Sequence, residues 1–316
     1  MKIPTLLLLL GTSFLAPLPV AAEDEGADAL AEVIARAERF QRGSADAVPT
    51  GSVHGRFWLS WRKPDGDGFF QFSVDRTYVR EPERMLTRRT DSLEQTDVSE
   101  GFDGAQSWMK DNATGDGWVF DEDPETFETD LETMRQQLRI MRMVHDALTV
   151  EGIVDRLEHP RVEGQETLRP PIRRIEGEDK RPLTDVIVGT VPDELFEPDL
   201  NAPPPMPGTP EPRVHVRLAV SVKTGALLMA ELRTLDRAVP RAMQLWFMNH
   251  GSNAQGLRVP QTLKAYEDGV EVVSLGVEAD EDGIAGITLG DAFAEDLFAI
   301  PGELVVLEDE DEDEDR

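Results

Sequence analysis

The sequence predicts an α+β fold: a curved antiparallel half-open β-barrel covered by helices on its concave side. Three observations lead there. A long amphipathic helical pattern at residues 123–157 stands between two runs of strand-like segments. Those segments alternate apolar and polar residues with period two, and short glycine-containing turns join several of them, as antiparallel neighbours require. The helical patterns are few and segregated from the strands, so they belong on one side of a sheet rather than between parallel strands.

Taken in order, residues 1–22 read as a secretory signal peptide. Lys2 gives the positive start, Leu6 to Leu10 with Phe14 and Leu15 the apolar run, and Val20-Ala21-Ala22 a small-residue cleavage site. Residues 23–306 are then expected to form a single domain. Within it, residues 27–41 make an amphipathic helix with Leu30, Val33, Ile34, Ala37 and Phe40 on one face. Ser52–Arg62 is a strand with Val53, Phe57, Leu59 and Trp61 facing one way and His54, Arg56, Ser60 and Arg62 the other. The turn Pro64-Asp65-Gly66-Asp67-Gly68 leads into residues 69–80, where Phe70, Phe72, Val74 and Tyr78 share a face. Residues 85–89 and 92–99 read as more polar strands. The glycines Gly101 and Gly104 make a tight turn before a strand at Trp108 and Met109, and Trp118-Val119-Phe120 is a short return strand.

The central helix follows. Asp123 caps it and Pro124 suits its first turn. Phe127, Leu131, Met134, Leu138, Met141 and His145 recur at steps of three and four and so lie on one face. Gly152 is read as a break, followed by a short turn through Ile153, Val154 and Leu157. Strands resume at residues 185–191. Residues 201–212 hold six prolines and read as an extended surface insertion. Residues 214–222 alternate without interruption, Lys223-Thr224-Gly225 turns the chain into residues 226–235, and residues 242–249 carry large apolar groups on both faces, as a covered central strand would. Residues 260–266 and 270–278 complete the sheet, and residues 291–298 read as a short helix. Residues 307–316 form an acidic tail, expected to be disordered, with eight consecutive carboxylates.

Composition narrows the function. The chain has no cysteine, which excludes disulfides, thiol catalysis, thiolate metal sites and a lipid-modified N-terminal cysteine. A secreted chain of this kind suits a bacterial periplasm. A formal charge of −30 opposes binding to nucleic acid and to anionic membranes. No segment after the signal approaches the roughly 20 apolar residues of a membrane helix. The five histidines, His54, His145, His159, His215 and His250, are scattered without a metal-ligand spacing. Glu278, Asp280, Asp282 and Gly283 imitate the start of a calcium loop, but Leu289 stands where a bidentate Glu is needed, so an acidic turn is the reading. Hydrolase signatures and phosphate loops are absent. No cofactor, no metal and no catalytic residue is expected.

Four features, in this order along the chain, resemble the LolA/LolB-like superfamily of periplasmic lipoprotein carriers and outer-membrane lipoprotein-sorting proteins. They are the helix directly after the signal peptide; Gly101-Phe102-Asp103-Gly104 with Trp108-Met109; the strand ending in Lys223-Thr224-Gly225-Ala226-Leu227-Leu228; and Val259-Pro260, Tyr266, a valine-rich strand and Leu297-Phe298-Ala299-Ile300-Pro301. Val222 replaces the acidic residue usual before the third turn. The Pro-rich insertion and the acidic tail are not features of that superfamily. The resemblance implies an apolar cavity that receives acyl chains of lipids or lipoproteins; the chain is also expected to be a monomer and to meet envelope proteins. The candidate lining and lid are Phe57, Leu59, Trp61, Phe70, Phe72, Trp108, Met134, Leu138 and Met141. The alternative is an envelope scaffold whose barrel is filled by its own side chains.

Overall fold

The architecture comes from a computed structural model that describes residues 21–49, 51–62, 68–91, 96–120, 145, 150–171, 177–192, 213–234, 242–302 and 305–306. Residues 1–20 of the expected signal peptide, the body of the central helix, the Pro-rich insertion and the acidic tail lie outside these residues, and α1 begins at the expected cleavage site. Helix α1 (Ala21–Arg42) opens the fold. It starts earlier than its apolar stripe predicts, because residues 21–26 contain neither proline nor a β-branched residue to stop it. Six strands follow: β1 (Ser52–Arg62), β2 (Phe69–Val79), β3 (Arg84–Asp91), β4 (Thr96–Phe102), β5 (Ser107–Asp111) and β6 (Gly117–Phe120). Then come α2 (Val150–Val154), β7 (Glu158–Thr167), β8 (Leu183–Pro192), β9 (Arg213–Ser221), β10 (Leu227–Thr234), β11 (Ala242–Ser252), β12 (Arg258–Glu267), β13 (Val270–Val277), β14 (Ile287–Leu289) and β15 (Val305–Val306).

Several expectations need correction. Gly152 does not break the helix but sits inside α2, and the chain turns just after it. The expected helix at residues 291–298 is reduced to one 3-10 turn, Glu295–Leu297. β7 carries no apolar alternation to reveal it. It is an edge strand with exposed side chains, Pro160 and two register shifts, features that discourage further pairing along an edge. β14 and β15 are three and two residues long, too short for a period to show.

The fifteen strands among the described residues belong to one sheet in the order β15-β6-β5-β4-β3-β2-β1-β13-β12-β11-β10-β9-β8-β7, with β14 beside the start of β1. Two meanders, β1 to β6 and β7 to β13, are thus joined where β1 meets β13. Among the described residues every strand–strand pairing is antiparallel except β15 with β6. The two ends of the sheet, β7 and β15, do not pair with each other, so the barrel stays open. β11 is central, with Leu245, Trp246, Phe247 and Met248 all at most 3% exposed, so both its faces are covered.

The largest core forms on the concave face. It joins Val33 and Ala37 of α1 to Phe57 and Leu59 of β1, Val74 and Tyr78 of β2, Leu218 of β9, Leu245 and Phe247 of β11, and Val273 and Leu275 of β13. α1 therefore buries Leu30, Val33, Ile34 and Ala37 of its predicted stripe against this face. Gly225 permits the close approach: it holds φ +87°, and a Cβ there would meet the Arg36 carbonyl oxygen at 2.6 Å. A smaller cluster on the other face gathers Ala219, Leu228, Met229, Trp246, Met248 and Tyr266, with Phe40 against it.

Candidate ligand-binding face

Directly opposed residues of neighbouring strands point to the same side of a sheet, so the register shows which side chains share a wall. One row crosses nine strands: Val162, Ile187, Leu218, Ala230, Leu245, Ala265, Val273, Trp61 and Phe70. Every position in it is apolar. A second row on the same face runs Phe247, Leu263, Leu275, Leu59 and Phe72. The register therefore puts Phe57, Leu59 and Phe72, three of the expected lining residues, on the concave side, and the backbone pairing of Trp61 with Phe70 continues the first row, the side chains of those two lying outside what the structure describes. Phe57 is fully buried, Leu59 is buried, and Phe72 is half-buried with the Arg89 guanidinium 4.9 Å over its ring. Met134, Leu138 and Met141 lie outside the described residues.

Trp108 stands apart. Its row is His54, Thr77, Leu86, Gly101, Trp108 and Val119, which belongs to the outer face. Its indole covers Gly101, where any Cβ would collide with the ring, and its Nε1 donates to the Phe298 carbonyl oxygen at 3.3 Å. The turn before it is built by Asp103, whose Oδ1 accepts from the Ala105 and Gln106 amides, both at 2.8 Å, with Gly104 at φ +106°.

The concave face also holds a polar row: Gly55, Arg76, Thr87, Glu100, Met109 and Trp118. Arg76 is 1% exposed. Its Nε donates to Thr87 Oγ1 at 2.9 Å, and Glu100 also faces Arg89 at 3.5 Å. Burial pushes the Arg76 guanidinium down to about 10, and the Glu100 carboxylate works against that shift. Beside this row, Tyr78 donates to Glu83 Oε1 at 2.8 Å, and burial raises its phenol well above the usual range. His145 packs on the Tyr78 ring and its Nε2 accepts from the Gly51 amide at 3.3 Å, the role of a hydrogen-bonded core histidine. The polar row was readable: Arg76 lies in phase with Phe72, Val74 and Tyr78, so alternation alone turns it inward.

On the outer face, an open cavity of about 470 Å³ is lined by His215, Arg217, Glu231 and Arg233. Arg217 pairs with Glu166 and lies 3.6 Å from Glu231, and Arg233 donates to Glu231 at 2.8 Å. Two guanidiniums are matched by two carboxylates, so the cavity offers a ligand no net charge. Asp280 Oδ1 accepts from the amides of Asp282 and Ile284, a solvated acidic turn. Among the described residues no group of three or more His, Asp and Glu could hold a metal ion, and no helix is long and apolar enough to cross a membrane.

No family model and no curated protein matches the chain. Similar solved structures include a putative outer membrane lipoprotein-sorting protein domain from Vibrio parahaemolyticus, with 10% identity over 87% of this chain and 96% of that one and a TM-score of 0.45. A LolA superfamily protein from Nitrosomonas europaea shows 11% identity over 85% of this chain and 97% of that one, also at a TM-score of 0.45. The functional reading therefore rests on the sheet of this chain and on the chemistry of its two faces.

Proposed function

We propose that this chain is a non-catalytic periplasmic binding protein that carries acyl chains of lipids or of lipoproteins in envelope biogenesis. The observation behind this reading is the unbroken apolar row across nine strands of a sheet whose ends do not meet. Acyl chains gain about 0.8 kcal/mol for each CH₂ moved from water onto such a wall. The buried Arg76, Thr87 and Glu100 beside it suit an amphiphile better than a plain hydrocarbon. Leu59 and Phe72 line one end of the wall, and in this reading Met134, Leu138 and Met141 supply the lid, where flexible methionines adapt to varied chains.

Delipidated protein titrated with a fluorescent fatty acid should bind it saturably with a defined stoichiometry. Phe72→Asp and Leu138→Asp should each lower the affinity tenfold or more, with the circular dichroism of the folded chain retained. A second reading, an envelope scaffold with a filled barrel, is favoured by Phe57, Val74, Tyr78 and Met85, which are at most 1% exposed. Absence of saturable binding to every lipid class tested selects the scaffold and removes the carrier.

A further inference from the structure

One guanidinium on the concave face is not tied up by the fold. Arg89 of β3 lies opposite Val74 of β2, which belongs to the concave core, so its side chain turns to that side. Its guanidinium stands 4.9 Å over the Phe72 ring and meets Glu100 in a loose ion pair at 3.5 Å. Among the described residues it donates no hydrogen bond, although a guanidinium has five N–H groups. The side chain is 28% exposed, so these donors reach open space. Arg36 and Arg217, by contrast, are closely paired with Asp185 and Glu166.

Phe72 is also where the second apolar row ends. That row runs Phe247, Leu263, Leu275, Leu59 and Phe72, over β11, β12, β13, β1 and β2. At about 4.8 Å between strands it is about 19 Å long. One acyl chain fills half the hydrocarbon core of a bilayer, about 15 Å. A chain with its polar end at Arg89 therefore runs from Phe72 past Leu59 and Leu275 and stays on apolar side chains along its whole length.

We infer that Arg89 is the headgroup anchor of the concave face, and that this face selects a single acyl chain ending in an anion, a carboxylate or a phosphate. The inference rests on the acyl-carrier reading above and adds the class of headgroup to it. A guanidinium presents a planar fork that matches either anion with two parallel hydrogen bonds. The Phe72 ring holds one face of that fork and leaves its N–H edge to the ligand. Apolar surroundings strengthen the pairing, because they hold water away from it. The negative charge of the whole chain does not forbid an anion here: exposed charges are screened beyond about 8 Å at physiological salt, whereas Arg89 acts by direct contact. An alcohol, ester or amide headgroup offers these donors a neutral acceptor and a weaker bond.

The test titrates the delipidated full chain, by calorimetry, with three ligands of equal chain length: palmitate, hexadecyl phosphate and hexadecanol. One or both anions should bind about tenfold tighter than the alcohol, and the tighter of the two identifies the headgroup. In Arg89→Gln that preference should vanish while hexadecanol keeps its wild-type affinity. Arg89→Lys should retain part of the preference, since the charge remains without the fork. Arg89→Met keeps an apolar stem over Phe72 and is read in the same way if the Gln variant fails to fold. Equal binding of all three ligands to the wild-type chain overturns the inference and leaves the carrier reading standing. So does a preference that survives Arg89→Gln, and so does an equal loss of all three ligands in that variant, which marks a packing role. Binding of none of them removes the carrier reading and this inference with it.

Discussion

Arg76 is the residue on which the first meander turns. A guanidinium at 1% exposure is tolerated only because Thr87 and Glu100 sit beside it in the same cross-strand row. Removing the cation leaves a buried carboxylate with less compensation, and breaking such a pair costs about 3–5 kcal/mol. Arg76→Met should therefore lower the urea midpoint sharply, and Glu100→Gln in the same chain should recover part of the loss. His250 provides the pH handle. It lies 5.2 Å from the Phe40 ring of α1, and burial, helped by the Arg258 charge, pulls its imidazole down to about 4. The unfolded chain thus binds a proton that the folded chain refuses between its ordinary value of 6.5 and 4. Stability from this group is complete above the upper value and is lost as pH falls through the window, by about 3 kcal/mol at most. His250→Gln should flatten that part of the stability profile, read by chemical unfolding at several pH values.

At the scale of elements, glycines set how closely pieces approach. Gly225 brings the β9–β10 turn under α1, and its positive φ compounds the lack of room for a Cβ. Gly225→Ala should cost about 1–3 kcal/mol and raise hydrogen exchange in α1 before the strands are affected. Gly101 does the same for Trp108: Gly101→Ala should be destabilising on a similar scale, and a double-mutant cycle with Trp108→Leu should show coupling, since the two share one contact. The elements also show where patterns are legible. β1, β2, β9 and β11 were plain because one or both faces are buried over eight residues or more. β7 was invisible because an edge strand owes its place to its neighbour, β8, and not to an apolar face of its own.

At the scale of the molecule, the sheet is assembled from two local meanders and a few long-range joints. β1 with β13, β1 with β14 and β6 with β15 each connect residues far apart in the chain. A ligand on the concave face would add its binding free energy to the folded state alone. Saturating fatty acid should therefore raise the melting temperature of the full chain, and by less in Phe72→Asp. By itself the sequence determined the class of the fold, most of its strands and which residues share a face, because alternation and turn chemistry act between near neighbours. It also determined that Arg76 must face inward, because it lies in phase with Phe72, Val74 and Tyr78. Only the tertiary structure decided that Trp108 belongs to the outer face and serves the C-terminal segment rather than the bowl. It alone decided that β15 closes the β6 edge. Those outcomes depend on the register between distant strands, and a shift of one residue would send every side chain in the row to the opposite face.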